Sequence, residues 1–314
     1  MHDESFEPQL MMLVAAAAAI FAVGCSDDLP AKSRLERTRL LGARVQLASD
    51  PTRADVTPGE RATVEWLLAG PRAPGALAWT FAVCDGIEGA CAGPASMTAS
   101  GTGAPVLAPF TAPPAMPVDD AHAPLMLGAV CEGGAPTFDA ATMLPGCAAA
   151  STSANPARFA IPVFAASAAP NHHPNLANDL VTLDGAPWTT EPAGDAGGPC
   201  DATSAMPIVD AGATERQLRL TTDADDRESY VVAGVTTLEA LELSSFATAG
   251  KLGGSYVLIA ATDADTDAAF TAKWTPPVIA DVPAAGMTVQ FHFVVRDGRG
   301  GLDWAHRALC VVAP

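Results

Sequence analysis

Residues 287–312, MTVQFHFVVRDGRGGLDWAHRALCVV, carry the clearest pattern in the chain. Val289, Phe291 and Phe293 alternate with Gln290 and His292, the period-two repeat that puts an apolar set on one face of a strand. RDGRGG then supplies the glycines that a tight turn needs for positive φ, and a second apolar run returns, so the segment predicts a β-hairpin. Five earlier stretches, DLVTLDG, RQLRLTT, LEALELSSF, SYVLIAAT and AFTAKW, show similar short runs separated by turn residues. Seven short strands with no long helical period predict a β-sandwich for the second half.

In the first half, strands are expected from about Leu41 onward in ARVQLAS, RATVEWLLAG, LAWTFAVC and RFAIPVF. The Pro-, Gly- and Ala-rich segment 101–150 has little periodicity and predicts loops and edge strands. AASAAPNHHPN at 165–175 has two prolines and no apolar repeat, the composition of an interdomain linker. The expected organisation is a first domain over 41–164, this linker, and a second domain over 176–314.

The N-terminus is a different matter. Leu10 to Gly24 is an uncharged run of 15 residues, too short for a membrane span, which takes about 20, but of signal-peptide length. It ends in Ala22, Val23, Gly24 and Cys25 and then turns acidic. That tetrad resembles the lipobox of bacterial lipoproteins, with Ala22 where Leu is commoner. The resemblance implies a signal peptide over 1–24, acylation of Cys25, a polar tether over 25–40 and anchorage in the lipid bilayer. Ser26 stands where Asp would resemble an inner-membrane retention signal, which favours the outer membrane, facing the periplasm or the cell surface.

A second resemblance rests on the terminal hairpin. WTPPVIADVPAAG followed by the strand, the RDGRGG turn and the last strand is similar to the end of bacterial Ig-like domains of the PKD and cadherin-like type. LELSSFATAG is similar to a mid-domain strand of uncharacterised lipoproteins that carry them. PGERATVEWLLAG looks like part of a more divergent copy. The fold so implied is all-β, with two Ig-like β-sandwich domains in tandem after a lipoprotein signal peptide.

Six cysteines follow Cys25: Cys84, Cys91, Cys131, Cys147, Cys200 and Cys310. An even number in an exported chain predicts disulfides. Four in the first half allow three pairings, of which proximity favours Cys84 with Cys91 and Cys131 with Cys147; Cys200 is then left for Cys310. No CxxC pair or zinc-finger spacing suggests a structural metal.

The formal net charge of −18 repels phosphate backbones and argues against nucleic acid as a partner. Two acidic clusters, TTDADDRESY with Asp223, Asp225 and Asp226, and ATDADTDAAF with Asp263, Asp265 and Asp267, are candidate calcium ligands, since hard oxygen donors suit that ion. The second departs from the EF-hand pattern, with Ala268 at the sixth position and Trp274 at the twelfth. Solvated acidic turns are the plainer reading.

Catalytic signatures are missing from the sequence: there is no GxSxG, no HExxH and no phosphate loop. Asp303 and His306 are three apart on a strand and so point to opposite faces. His172 and His173 in the linker are a weak surface-metal candidate. Of the five tryptophans, Trp66, Trp79 and Trp274 lie in or beside strands, where core packing is the default. The expected function is that of a membrane-anchored, non-enzymatic lipoprotein with a structural, adhesive or binding role toward an envelope protein or glycan. The alternative is a carbohydrate-binding or hydrolase-accessory lipoprotein.

Overall fold

A computed structural model describes residues 32–314, except 73, 88–89, 96, 115–121, 140–141, 150, 152, 164–169, 177–180, 190–194, 201–204, 223, 233 and 264–268. Cys25 and the leader therefore lie outside the described residues, as do Asp223, Asp265 and Asp267. Residues Ser33–Pro314 form one compact unit. Among the described residues the regular structure is β, apart from two short 3-10 turns.

Among the described residues ten strands occupy the first half. They are β1 (Arg39–Gln46), β2 (Arg61–Ala69), β3 (Leu77–Ile87), β4 (Ala90–Cys91), β5 (Met97–Thr102), β6 (Val106–Thr111), β7 (His122–Glu132), β8 (Pro136–Asp139), β9 (Leu144–Cys147) and β10 (Ser153–Ala160). One sheet runs β1-β2-β6, a second runs β10-β7-β3-β4 with β5 also paired to β3, and β8 pairs only with β9. Alternate residues of both sheets, among them Val45, Val64, Trp66 and Phe110 from the first and Trp79, Phe81, Met126 and Val130 from the second, share one core. Trp66 stacks on Phe81 with ring centroids 4.8 Å apart.

The second half continues with β11 (Val181–Leu183), β12 (Ala186–Pro187), β13 (Ile208–Asp210), β14 (Arg216–Thr221), β15 (Ser229–Val232), β16 (Val235–Leu238), β17 (Leu241–Ala247), β18 (Lys251–Gly253), β19 (Tyr256–Ile259), β20 (Ala269–Thr275), β21 (Met287–Arg296) and β22 (Leu302–Val312). The sheets here are β12-β11-β14-β20-β18 and β13-β22-β21-β17-β19, with β15-β16 a separate hairpin. Their core centres on Phe291, fully buried, with Trp188 and Trp274 each edge-on to it at 5.1 Å. Such aromatic pairs add about 0.5–1.5 kcal/mol beyond the area they bury.

Two expectations are corrected. The segment 101–150 is not confined to loops and edges, because β7 is an interior strand paired to β3 on one side and β10 on the other. A strand covered on both faces reads as a continuous apolar run, here LMLGAV, and so loses the alternation that reveals half-buried strands. The second half holds more than the seven expected strands. Among the additions, Ile208–Asp210 pairs parallel to the last strand, and residues 229–238 form their own hairpin.

Three disulfides pin these elements: Cys84–Cys91, Cys131–Cys147 and Cys200–Cys310, with Cα atoms 5.7, 5.7 and 5.6 Å apart, all within the ordinary range for a bridge. A third apolar cluster draws on both halves of the unit. Leu41, Leu67 and Ala69 meet Val294 and Leu302, with Leu35 between them.

Candidate functional site: a buried polar junction

The segment expected as a linker is built into the protein where it is described, at residues 170–176. Asn171 is 1% exposed. Its backbone N–H donates to Oδ2 of Asp55 at 2.9 Å, and its carbonyl accepts from the N–H of Ala54 at 2.8 Å. Its side-chain Nδ2 donates to Oδ2 of Asp297 at 2.9 Å. Asp297 in turn organises the β21–β22 turn, its Oδ1 accepting the N–H groups of Arg299 and Gly301 at 2.7 and 2.8 Å. This is why an aspartate opens RDGRGG: a short carboxylate can satisfy the turn's own donors, while Gly298 and Gly300 take positive φ.

The neighbouring histidines are engaged. His173 sits with Nε2 2.8 Å from the Val45 carbonyl oxygen, and its Nδ1 accepts from the Leu302 N–H at 3.1 Å. A ring that donates from one nitrogen and accepts at the other is held neutral, and burial lowers its pKa from the ordinary histidine value. His172 pairs through Nδ1 with Glu228. With both nitrogens of His173 occupied, His172 and His173 cannot bind a metal ion together as expected.

Around this hub lies a set of buried charges. Glu239, 1% exposed, accepts from Arg299 Nη1 at 2.6 Å and from the Glu228 N–H at 3.2 Å. Burial, reinforced by the nearby Asp297 carboxylate, outweighs the Arg299 ion pair and pushes the Glu239 carboxyl up to about 7. Burial also raises Asp55 to about 6, against the opposing pull of the Asn171 N–H and Arg53. Buried Arg227 donates to the carbonyls of Glu239, Ala260 and Asp263. Farther along, Arg44 joins Asp303 at 2.6 Å and lies 3.9 Å from the centroid of the Trp304 ring, while Asp303 also accepts the Leu176 N–H at 2.9 Å.

The acidic turns are thus brought to one place by Arg227, which joins the 225–226 turn to the 260–263 turn. Among their described members, Asp225 and Asp263 are exposed, and Asp226 accepts the Asn175 N–H at 2.8 Å. Among the described residues no group of three His, Cys, Asp or Glu side chains is placed to hold a metal ion. The calcium expectation therefore finds no support in Asp225, Asp226 and Asp263; the other three aspartates lie outside the described residues.

Asp303 and His306 do not form a catalytic pair, since one reaches the junction and the other faces His292 across the hairpin. Trp66, Trp79, Trp188 and Trp274 are buried in the two cores. A cleft of about 490 Å³ opens beside the junction, lined by Leu40, Trp66, Arg158, Phe159, Arg296 and Gly300 among others. Its Arg296 is already committed, donating to the Leu41 carbonyl at 2.6 Å and to Ser244 Oγ at 3.3 Å.

Sequence reading missed Asp55, Asn171, Glu228, Glu239, Arg227 and Arg299. The one available signal was PNHHPN itself, where closely spaced prolines and bulky polar side chains restrict the chain in a way that a flexible Gly/Ser linker does not.

No family model and no curated protein match the chain. Among solved structures, it is similar to the crystal structure of dimeric latent PorU from Porphyromonas gingivalis at 10% identity, over 89% of this chain and 24% of that one, with a TM-score of 0.21. The chain spans about a quarter of that protein's length, and a likeness this slight carries no argument about fold or activity. Among the described residues no helix is long and apolar enough to cross a membrane.

Proposed function

We propose that the protein is an extracytoplasmic, outer-membrane lipoprotein anchored through acylated Cys25. In this reading two tandem Ig-like β-sandwiches act as a non-enzymatic structural, adhesive or binding module toward an envelope protein or glycan. The observation that carries the structural role is the buried junction, in which Asn171, Asp55 and Asp297 hold the two pairs of sheets in one arrangement. Buried polar groups that hydrogen-bond one another fix geometry because any displacement breaks those bonds where water does not replace them. The three disulfides support an oxidising compartment.

The carbohydrate-binding alternative draws on the tryptophans, but four are buried and the fifth, Trp304, is covered on one face by Arg44. That leaves the structural reading ahead. Replacing Cys25 with Ala tests the anchor: the variant should leave the membrane pellet and appear in the soluble fraction after a carbonate wash. Retention in the pellet would overturn the lipoprotein reading.

A further inference from the structure

On the face of β21 turned away from the core, His292 lies in register between Phe246 of β17 and His306 of β22. It is 5% exposed, and neither ring nitrogen has a hydrogen-bond partner. This contrasts with His173, both of whose nitrogens are used. A buried polar side chain left without partners is costly, and its retention calls for a cause. Its cross-strand neighbour supplies one, since the imidazoles of His292 and His306 stand with centroids 4.4 Å apart and planes at 74°.

We propose that His292 and His306 form a two-imidazole site for a late first-row divalent ion, copper(II) above all. Directly opposed residues on antiparallel strands have Cβ atoms about 4.5–5.5 Å apart, a spacing from which two rings can reach one ion. Two nitrogens about 2.0 Å from an ion and roughly at right angles to one another place the ring centroids about 4.5 Å apart. The observed separation matches that cis arrangement, which is the geometry copper(II) prefers and tetrahedral zinc does not. His306 is only half-buried, so the ion reaches the pair along the exposed part of that ring, and, because its Nε2 and both His292 nitrogens are shielded from solvent, the water that completes the coordination enters with the ion. The net charge of −18 raises the local concentration of cations.

The test is a titration of the full chain with CuCl2 in a non-chelating buffer. One equivalent should give an electron paramagnetic resonance spectrum split by two imidazole nitrogens, and the melting temperature should climb with the logarithm of free copper. ZnCl2 should raise it less. His306→Gln should weaken binding by more than about tenfold, His292→Phe should abolish the two-nitrogen spectrum, and His172→Ala should change neither. Should His292→Phe not fold, His306→Gln decides alone. Absence of binding, or copper binding indifferent to His292 and His306, overturns the proposal.

Discussion

The side-chain amide of Asn171 donates to Asp297 across 126 residues of sequence, at 2.9 Å, with both partners buried. One bond thus ties the segment between the halves to the turn of the longest hairpin. Because the same carboxylate also holds the Arg299 and Gly301 N–H groups, the junction and the turn are a single hydrogen-bonded unit. Disturbing either should disturb both.

Asn171→Ala leaves Oδ2 of Asp297 without this donor in a buried place, and the cost should be about 1–3 kcal/mol. Asp297→Ala should cost more, since it also strands two turn N–H groups. Urea unfolding followed by circular dichroism reads both values. A shift below about 0.5 kcal/mol for Asn171→Ala, the range of ordinary surface substitutions, would show that water replaces the amide without penalty.

How much of this was legible in the sequence depended on how each element is buried. The β21–β22 hairpin is half-patterned, with Val289, Phe291 and Phe293 toward the core, so its period-two repeat was visible. Strand β7 is apolar on both faces, with Leu125, Ala129 and Cys131 buried on one and Met126 and Val130 on the other, so its run lacks alternation and was indistinguishable from a loop rich in Gly and Ala. The junction was invisible for another reason. Its contacts join residues as distant as Arg44 and Asp303, 259 positions apart, and polarity alone does not tell a buried, hydrogen-bonded asparagine from a solvated one. The short-range bridges follow from proximity, whereas Cys200–Cys310 was reached only by elimination.

Removing each disulfide should rank the bridges by loop length. In the chain-entropy model, the 110-residue separation of Cys200 and Cys310 is worth about 4.8 kcal/mol and the 7-residue separation of Cys84 and Cys91 about 2.4. Paired Cys→Ala variants compared by thermal unfolding should follow that order. The reverse order would mean that local strain or residual structure in the unfolded chain governs the effect.

Glu239 and Asp55 predict a pH dependence whose sign is unusual for carboxylates. Both have folded values, about 7 and about 6, above their unfolded ones, so the native state binds more protons between roughly pH 4 and 7. Stability from these groups is greatest below their unfolded values and is lost as pH rises through 6 and 7. His173, shifted down, acts in the opposite sense as its unfolded form takes up a proton on acidification. The clean measurement is therefore a difference. Glu239→Gln should gain on the parent protein between pH 5 and 8, and a gap constant with pH would show that Glu239 is ionised in the fold throughout.

The shared apolar cluster predicts that the two halves unfold together. Leu35, Leu41, Leu67, Val294 and Leu302 are all buried in it, and burying such side chains is worth about 1.5–3 kcal/mol each, beside the Asn171 bonds and the half-buried Arg44–Asp303 pair. Calorimetry on the full chain should show one transition whose van't Hoff and calorimetric enthalpies agree. Leu302→Ala, at a cost of about 2–5 kcal/mol, should weaken the cluster without touching either main core, and the transition should then broaden or split. Phe291→Ala, at about 3–5 kcal/mol, lies wholly within the second core and should lower the transition while keeping it single. Two separate transitions in the parent protein would mean that each core outlasts the junction, and that the buried polar bonds between them orient the halves without making them fold as one.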